Sequence, residues 1–583
     1  MSAGHRLRKV LIANRGEIAV RIIQACRELG ISAVAVYSEA DREALHVALA
    51  DESYEIGPAP AVQSYLNIGR ILEVARSCAA DAVHPGYGFL AENAAFARAC
   101  RDAGLIFVGP TPEAMEAVGG KIAARALAER LGVPVVPGET LALQGIEQAA
   151  AVAKRIGYPV AIKASAGGGG RGLKMVPGPE ALASALESAQ REGQAYFADS
   201  TVFMERYLEA PRHVEVQVAG DTHGRVLAVG TRDCSTQRNH QKLIEEAPAL
   251  LPPQTESAML EAAQRLAAAI GYTGAGTAEF LVEDGCFYFL EMNTRIQVEH
   301  TVTEAVTGLD LVKMQLLVAA GEHLPFAETD CIPFGHAIEC RINAEDPAAR
   351  FRPGPGLLAR YRAPTGPGVR VDSGVYQGYT IPAAYDSLIA KLVAWGRDRD
   401  EARRRMLRAL DQFDVAGVPT TIPFHRYVLT HDAFVEGRIT TPFVGRLDLS
   451  VLPAQEIPAA PEPAAGELAA VGPRESYLVA VNGKRFTVEI AQAARPRSAR
   501  SRERRLPSAI HGGSSNVISP MHGVVLRVAV QAGQSVEAGD LIMVIEAMKM
   551  ENEVTAHRAG TVAEIRVAVG ETVEVGSVLA TIA

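Results

Sequence analysis

The densest cluster of polar side chains lies in residues 291–300, which read Glu-Met-Asn-Thr-Arg-Ile-Gln-Val-Glu-His. Alternate side chains of an extended chain point to the same side. The residues that would share one face are Glu291, Asn293, Arg295, Gln297 and Glu299. Gathering so many polar groups costs free energy unless they surround charged ligands. The run therefore predicts a functional site rather than a solvated strand end.

A further carboxylate, Glu279, precedes this run at a distance that a β-hairpin would close. The predicted strands are Thr277–Glu283 and Phe287–Asn293. A three-residue connection makes Glu279 face Glu291, whereas a two-residue loop puts them on opposite faces. Two bare carboxylates ~4 Å apart repel by about 4 kcal/mol near a protein surface. The facing arrangement therefore favours Mg²⁺ between them, with Asn293 as a neutral oxygen ligand.

A glycine run formally matches a dinucleotide-binding fingerprint. It reads Gly167-Gly168-Gly169-Gly170-Arg171-Gly172, which satisfies G-x-G-x-x-G. That fingerprint needs a helix after the loop, but here a predicted strand, Pro159–Lys163, is followed by another, Leu173–Val176. A glycine-rich hairpin is instead typical of a flap whose backbone N–H groups close over nucleotide phosphates.

Lys549 lies in a second chemically suggestive run, Glu546-Ala547-Met548-Lys549-Met550. A lysine between methionines is weak evidence alone, because methionine usually fills gaps in a core. The surrounding sequence, however, repeats at an offset of 37 residues: Gly523, Val525, Val528, Val530, Gly533, Val536, Gly539, Leu541 and Ile545 align with Gly560, Val562, Ile565, Val567, Gly570, Val573, Gly576, Val578 and Ile582. Two similar β-rich halves are expected to pack face to face, with Lys549 exposed at the hairpin between them.

The segment around Lys549 resembles biotinyl carrier domains. Their Ala-Met-Lys-Met motif matches residues 547–550 without change, and the Asp-Lys-Ala pattern of lipoyl domains is absent. The resemblance predicts that Lys549 carries covalent biotin.

Length and composition indicate several globular domains. The 583 residues suggest three to five domains of ~100–200 residues each. A net charge of −9 and 21% charged residues give no reason to expect nucleic-acid or membrane partners. The seven scattered cysteines favour neither a disulfide framework nor a zinc site and indicate the reducing cytoplasm. No stretch approaches the ~18–20 apolar residues of a spanning helix.

The elements that must position the polar residues begin with a β-α-β unit. A strand over Val10–Ala13 leads to a helix and to a second strand, Ala33–Tyr37, which is typical of an α/β domain. Residues 453–473 are rich in Pro, Ala and Glu and predict an extended linker. A β-hairpin is predicted over Tyr477–Ile490 around Asn482-Gly483, and the basic residues 495–505 are interpreted as a solvated tether.

From about residue 8 to residue 445 the sequence resembles the biotin carboxylases of the ATP-grasp superfamily. The matching blocks are Ala13-Asn14-Arg15-Gly16-Glu17, residues 84–90, the glycine run, Arg212-His213-Val214-Glu215, Arg232-Asp233-Cys234-Ser235, Gln241-Lys242, residues 291–300 and Glu339-Cys340-Arg341-Ile342-Asn343. With the carrier motif included, the chain resembles the α subunit of bacterial acyl-CoA carboxylases, and its short middle region is most similar to the actinobacterial type.

This resemblance implies a multidomain α/β protein followed by an all-β carrier. The implied domains are an N-terminal α/β domain at 1–120, an ATP-grasp domain at 121–330 with its glycine-rich flap at about 135–205, an α+β C-terminal domain at 331–450, a linker with a short β-hairpin at 451–512, and a biotinyl, lipoyl-like carrier domain at 513–583.

The resemblance also implies a role for each residue of the site. The nucleotide would be bound by Lys121, Lys163, Gly167, Gly168, Gly169, Gly170, Glu205, Leu208, His213, Gln237 and His240. Mg²⁺ or Mn²⁺ would be held by Glu279, Glu291 and Asn293. Bicarbonate would lie against Arg295, Gln297 and the Val298 backbone, with Glu299 as general base. Lys242 would neutralise phosphate, Arg341 would stabilise negative charge on biotin, and Tyr87 would contact biotin.

The implied reaction is the carboxylation of biotin with ATP and bicarbonate. The implied partners are biotin protein ligase and a separate carboxyltransferase β subunit in a hetero-oligomer, which would carboxylate acetyl-CoA, propionyl-CoA or a longer acyl-CoA. Three alternatives stay open: a component of another biotin-dependent carboxylase such as a pyruvate carboxylase, an inert scaffold with a working carrier, and another ATP-grasp ligase fused to a lipoyl carrier.

Overall fold

The N-terminal part of the chain is built on a five-stranded parallel sheet. The structure is a computed structural model that describes residues 7–139, 142–143, 145–164, 173–197, 199–455, 475–481, 484–490, 515–520, 523–547, 550–573 and 576–583. The strands are β1 Lys9–Ile12, β2 Ser32–Ser38, β3 Glu52–Gly57, β4 Ala82–His84 and β5 Ile106–Phe107, in the order β3-β2-β1-β4-β5. The helices are α1 Gly16–Glu28, α2 Leu45–Leu49, α3 Ile68–Ser77, α4 Ala94–Asp102 and α5 Pro112–Gly119. The predicted β-α-β opening is confirmed.

A small antiparallel sheet follows. Its elements are α6 Lys121–Arg130, β6 Gly138–Glu139, α7 Ile146–Ile156, β7 Val160–Ala164, β8 Leu173–Val176, α8 Leu182–Phe197 and β9 Val202–Arg206. Strands β7 and β8 pair antiparallel, with Lys163 opposite Leu173. The glycine run therefore connects two strands and not a strand and a helix, as its sequence context predicts. The run itself, residues 167–172, lies outside the described residues.

The central feature of the fold is an eight-stranded antiparallel sheet. Its strands are β10 Arg212–Gly220, β11 Val226–Arg238, β12 Gln241–Ala247, β13 Gly274–Glu283, β14 Cys286–Asn293, β15 His336–Asn343, β20 Val369–Ser373 and β22 Leu388–Gly396, in the order β14-β13-β10-β11-β12-β15-β22-β20. The helices between them are α9 Pro253–Ala269, α10 His300–Thr307 and α11 Leu311–Ala319. Because β12 pairs with β15, residues before and after position 330 share one sheet.

The rest of the C-terminal part packs against this sheet. Short paired strands are β16 Glu345–Asp346, β17 Arg352–Pro353, β18 Gly356–Leu357, β19 Arg360–Arg362, β21 Thr380–Ile381 and β23 Asp414–Ala416. The helices are α12 Arg399–Gln412, α13 Ile422–Thr430 and α14 Asp432–Val435. Buried Ile338, Leu392, Met406 and Phe424 belong to one apolar cluster, so strands and helices of this region share a core.

Two strands lie between the front of the chain and its last segment. They are β24 Glu475–Val481 and β25 Lys484–Ile490. The two strands pair antiparallel, from Val481 opposite Lys484 to Glu475 opposite Ile490. Of the predicted segments on either side, residues 456–473 and 495–505 lie outside the described residues, whereas residues 453–455 are described.

The last segment forms two four-stranded sheets around one core. One sheet has the order β26-β33-β31-β28, from Asn516–Ile518, Val578–Ile582, Gly560–Ile565 and Ser535–Val536. The other has the order β30-β29-β27-β32, from Met550–Thr555, Leu541–Ala547, Gly523–Val528 and Thr572–Val573. Strands β27 and β28 recur 37 residues later as β31 and β32. The halves do not form one sheet each, because β28 and β32 each join the other half's sheet.

Among the described residues, none of the helices is long and apolar enough to span a bilayer.

Candidate active site

One cavity of about 600 Å³ collects the polar residues that the sequence singled out. The predicted residues that line it are Tyr87, Lys121, Lys163, Glu205, Leu208, His213, Gln237, His240, Lys242, Glu279, Glu291, Asn293, Arg295, Gln297, Val298, Glu299 and Arg341. Gly167, Gly168, Gly169, Gly170 and Lys549 lie outside the described residues. The cavity is large enough for a nucleotide-sized ligand.

Three carboxylates form a row across neighbouring strands at this cavity. Glu215 in β10 lies opposite Glu279 in β13, and Glu279 lies opposite Glu291 in β14. Fully buried Arg232 in β11 extends the row and donates Nε–H to Glu215 at 2.5 Å. Direct cross-strand neighbours lie within contact distance, so this row concentrates negative charge and requires cations beside it.

Lys242 is the cation at the centre of the row. Its Nζ lies 2.5 Å from Glu215, 3.0 Å from Glu279 and 2.6 Å from Glu299. Burial alone would lower the pKa of Lys242, but these three carboxylates raise it well above its ordinary value. Lys242 is therefore charged at neutral pH, and it can neutralise an anion but cannot act as a base.

Glu299 lies between two cations. One carboxylate oxygen accepts from Lys242 Nζ, and the other accepts from Arg341 Nη2 at 2.9 Å. Burial would raise the pKa of Glu299, but Lys242 and Arg341 lower it below its ordinary range. Arg341 Nε also donates to Glu245 at 2.5 Å, and burial raises the pKa of Glu245 to about 7. Glu299 is thus ionised at neutral pH.

Glu279 and Glu291 face each other because of a β-bulge. Glu283 pairs with Cys286, so the connection has two residues, which by itself would put Glu279 and Glu291 on opposite faces. The register shifts after Phe280 pairs with Phe289. The extra residue between positions 289 and 291 restores the facing arrangement. Of the two connections considered in the sequence analysis, the two-residue connection is present and the three-residue one is not. Glu279 and Glu291 nevertheless face each other, as the three-residue connection would have placed them.

The two facing carboxylates offer oxygen donors that suit a divalent cation. Burial would raise the pKa of Glu279, but Lys242 and His213 lower it well below its ordinary value. Burial and then the charge of Glu279 raise the pKa of Glu291, a repulsion that a cation between them would relieve. Asn293 Oδ1 accepts from Arg295 Nη2 at 3.1 Å, and Glu279 Oε1 accepts from Lys242 Nζ at 3.0 Å and from Gln297 Nε2 at 2.8 Å. A cation held by either side chain would therefore replace donors that are now in contact with it.

We expect Mg²⁺ binding to strengthen as pH rises. Because the pKa of Glu291 is raised from its ordinary value of 4.5, a cation displaces a proton from it at low pH, and this competition disappears above the pKa. The Mg²⁺ concentration needed for half-maximal ATP cleavage should therefore decrease as pH rises above the ordinary glutamate range, and Glu291→Gln should flatten this dependence. Glu261→Gln, at a surface carboxylate 66% exposed, is the control; an equal slope in both variants would contradict the assignment.

The part of the cavity predicted to bind the nucleotide, called the nucleotide side below, carries two lysines. Lys163 in β7 forms an ion pair with buried Glu205, and Arg125 Nη1 lies 3.4 Å from the same carboxylate. Burial lowers the pKa of Lys121, whose Nζ lies 3.9 Å from Glu291. Two cations beside the facing carboxylates suit the phosphates of a metal-bound nucleotide.

The run 291–299 is not a strand throughout. Strand β14 ends at Asn293 and helix α10 begins at His300, with bends and a turn between them. The expectation of one extended strand is wrong beyond position 293. The odd-numbered side chains nevertheless all line the cavity, because the turn brings Gln297 and Glu299 back toward Glu279. Gln297 Nε2 donates to Glu279 Oε1 at 2.8 Å.

Several charged residues of the site were not assigned a role from the sequence. Glu92 accepts from Arg295 Nε at 2.9 Å and from the Thr294 backbone N–H. Glu215 and Glu245 hold Lys242 and Arg341, as described above. The sequence does contain a signal for such residues, namely a charged residue inside an apolar strand, as in Val214-Glu215-Val216. A charged side chain is rarely buried unless it is paired, so this pattern indicates a buried ion pair.

The fold and the cavity define an ATP-grasp enzyme that is joined to a carrier domain. Family models match along the chain: "Biotin carboxylase, N-terminal domain" at residues 6–115, "Carbamoyl-phosphate synthase L chain, ATP binding domain" at 120–327, "Biotin carboxylase C-terminal domain" at 339–446 and "Biotin-requiring enzyme" at 515–582. The chain belongs to the biotin carboxylase family and is an ATP-grasp ligase with a biotin-requiring domain.

Three relatives illustrate the similarity. One component of the pyruvate carboxylase of Methanothermobacter thermautotrophicus is 55% identical over 75% of this chain and 89% of its own length. The biotin-dependent acyl-coenzyme A carboxylase alpha3 subunit of Mycobacterium leprae is 45% identical over 100% of this chain and 99% of its own. The biotin carboxylase domain of the Hydrogenobacter thermophilus 2-oxoglutarate carboxylase, solved with MgADP, ADP and bicarbonate, is 47% identical over 76% of this chain and 98% of its own, with a TM-score of 0.73.

Proposed function

We propose that the front of this chain carboxylates biotin carried on Lys549, using ATP, Mg²⁺ and bicarbonate, and that the product serves a separate carboxyltransferase subunit. The observation that carries the first half is the position of Glu299 between Lys242 and Arg341, 2.6 and 2.9 Å away. An ionised base beside two fixed cations is suited to take a proton from one small anion and to hold another.

The bicarbonate step begins at the Arg295 guanidinium. This guanidinium and the Gln297 amide offer donors to bicarbonate, and Glu299 takes its proton. Both oxygens of Glu299 contact cations, so the substrate must first replace one contact. That exchange makes the carboxylate more basic. The carbonate oxygen then attacks the γ-phosphorus of ATP, while Lys121 and Lys163 stabilise the phosphate charge and ADP leaves.

The carboxyl transfer step uses the other end of the cavity. Biotin supplies the ureido nitrogen that accepts the carboxyl group. Carboxyphosphate, the product of the first step, breaks at its carbon–oxygen bond into CO₂ and phosphate. The phosphate, whose charge Lys242 neutralises, takes the ureido proton, and the ureido nitrogen then bonds to CO₂. Arg341 offers its guanidinium to the negative charge that develops beside it, and Glu245 at 2.5 Å fixes the direction of Arg341 Nε. Tyr87 lies at the same cavity and contacts the biotin ring.

The acceptor we propose is an acyl-CoA. The acyl-coenzyme A carboxylase relative aligns with this chain along 99% of its own length, and it therefore shares the same order of carboxylase and carrier on one chain. None of the four family models that match describes a carboxyltransferase. A carboxyltransferase β subunit in a hetero-oligomer and biotin protein ligase are the implied partners.

A second candidate acceptor is pyruvate. It is favoured by the 55% identity to the pyruvate carboxylase component, which likewise aligns over most of its own length. Both candidate functions use the same carboxylase site. Only the identity of the acceptor that becomes carboxylated distinguishes them.

The test is a panel of acceptors with labelled bicarbonate. The biotinylated chain, combined with the carboxyltransferase that co-purifies with it, should incorporate label into acetyl-CoA, propionyl-CoA or a longer acyl-CoA and not into pyruvate. Incorporation into pyruvate alone would establish the second candidate. Label that reaches free biotin but no acceptor would leave the carboxylase assignment standing and reject the partner.

A further inference from the structure

Lys391 is a fully buried cation where three parts of the chain meet. It lies in β22, opposite Arg341 of β15, and its side chain is 0% exposed. Its Nζ lies 3.0 Å from Glu17 of the N-terminal helix α1 and donates to the Val298 carbonyl, before α10, at 3.1 Å. One ammonium group thus joins the N-terminal, ATP-binding and C-terminal parts.

We propose that Lys391 is a positioning residue for the carboxylation reaction. Through Glu17 it holds Tyr87 on the biotin side of the cavity, and through the Val298 carbonyl it holds the turn that carries Gln297 and Glu299. This inference rests on the function proposed above, since it assigns no chemistry to Lys391 itself.

The contact on the biotin side runs through Glu17. Each oxygen of the Glu17 carboxylate has a different partner. Tyr87 Oη donates to Oε2 at 2.6 Å, and Lys391 Nζ lies beside Oε1. The Glu17 side chain is 2% exposed, so water does not replace either partner. The direction of the Tyr87 ring therefore depends on the charge of Lys391.

The contact on the bicarbonate side is a backbone contact. The Val298 carbonyl belongs to the same planar peptide unit as the Glu299 N–H. A donor held at that carbonyl therefore fixes the orientation of the peptide plane that precedes the Glu299 Cα, and with it the direction of the Glu299 side chain. Lys391 acts on the general base in this way without touching it.

The charge of Lys391 orients its neighbours more than it stabilises the fold. A buried ion pair contributes little net stability compared with apolar residues of the same volume. Asp372, 4.0 Å from Lys391 Nζ, has Arg370 as a second cation, at 2.6 Å. What an apolar residue could not supply at position 391 is a donor for the Val298 carbonyl.

The test compares Lys391→Met, Glu17→Gln and the double variant. Each is assayed for bicarbonate-dependent ATP cleavage and for carboxylation of free biotin, and its melting temperature is measured. For Lys391→Met we expect the KM for bicarbonate and for biotin to rise about tenfold or more, with the KM for ATP unchanged within about twofold, because the lysines of the nucleotide side do not contact Lys391.

The double variant separates positioning from stability. Removing both charges should restore the melting temperature lost in Lys391→Met, because no unpaired buried charge remains. The KM values for bicarbonate and biotin should stay raised, because the Val298 carbonyl still lacks its donor. Tyr87→Phe should raise the KM for biotin alone. Lys9→Met is the matched control, since Lys9 pairs with Glu52 at 2.6 Å on a more exposed surface and should change none of the three KM values.

Recovery of both stability and KM in the double variant would show that Lys391 is only structural. A rise in the KM for ATP equal to the other two would also overturn the inference. Absence of bicarbonate-stimulated ATP cleavage in the parent protein would instead reject the proposed function, so the two failures are distinguishable.

Discussion

We expect the replacement of Lys549 with Arg to abolish carboxylation of the final acceptor and to leave carboxylation of free biotin intact. The guanidinium keeps the charge but does not form the amide bond that attaches biotin, while the cavity that contains Glu299 and Arg341 is unchanged. The measurement is label transfer from bicarbonate, first to free biotin and then to the acceptor. Loss of both activities would mean that Lys549 has been misassigned.

The carrier offers an unusually clean control for this experiment. Lys549 is the only lysine in residues 513–583. A mass increase found in a fragment that contains this segment therefore reports biotin at one position. The double variant Lys549→Arg/Arg566→Lys places a lysine at an exposed site of the same domain, where Arg566 is 50% exposed. It should remain unbiotinylated, because Arg566 lacks the Ala-Met-Lys-Met context of residues 547–550. Lipoate in place of biotin would support the alternative of a lipoyl carrier.

We expect the replacement of Glu299 with Gln to lower bicarbonate-dependent ATP cleavage by about a hundredfold or more, the usual contribution of a general base. Glutamine keeps the shape and can still contact Lys242 and Arg341, but it does not accept the bicarbonate proton. That loss corresponds to about 2.7 kcal/mol of transition-state stabilisation. The measurement is the ATP cleavage rate with and without bicarbonate, in the presence of Mg²⁺.

A binding measurement separates loss of the base from loss of the site. The affinity for MgATP should be within about threefold of the parent, because Lys121 and Lys163 do not contact Glu299. Glu436→Gln, at a carboxylate 55% exposed and distant in sequence from the cluster, should behave as the parent. If Glu299→Gln itself retained parental activity, the scaffold alternative, in which only the carrier works, would gain support.

The acidic limb of the pH profile offers a second view of Glu299. Lys242 and Arg341 hold the pKa of Glu299 below its ordinary range. A base with a lowered pKa stays ionised as pH falls through the ordinary carboxylate range, so loss of activity there is expected to arise from other groups. The pH dependence of kcat/KM for bicarbonate, which reports the free enzyme, should therefore show no inflection from Glu299 at the ordinary pKa of a glutamate.

Local pattern determined much of this protein before any tertiary contact was considered. The β-α-β opening, the paired strands around the glycine run and the repeat at an offset of 37 residues each follow from short-range periodicity, because side-chain spacing along one element already encodes its buried face. The polar types in residues 291–300 likewise indicated an anion and metal site. The resemblance to biotin carboxylases then assigned each residue a role.

Other features required contacts between residues distant in sequence. Whether Glu279 faces Glu291 depended on a bulge, and a turn placed Glu299 between Lys242 and Arg341. Neither is encoded by strand periodicity, since one inserted residue reverses the face of every residue beyond it. Glu245, which holds Arg341, and Lys391, which joins Glu17 to Val298, come from separate strands and domains. Their roles exist only in the folded chain, because a buried charge is defined by the partners that the fold brings to it.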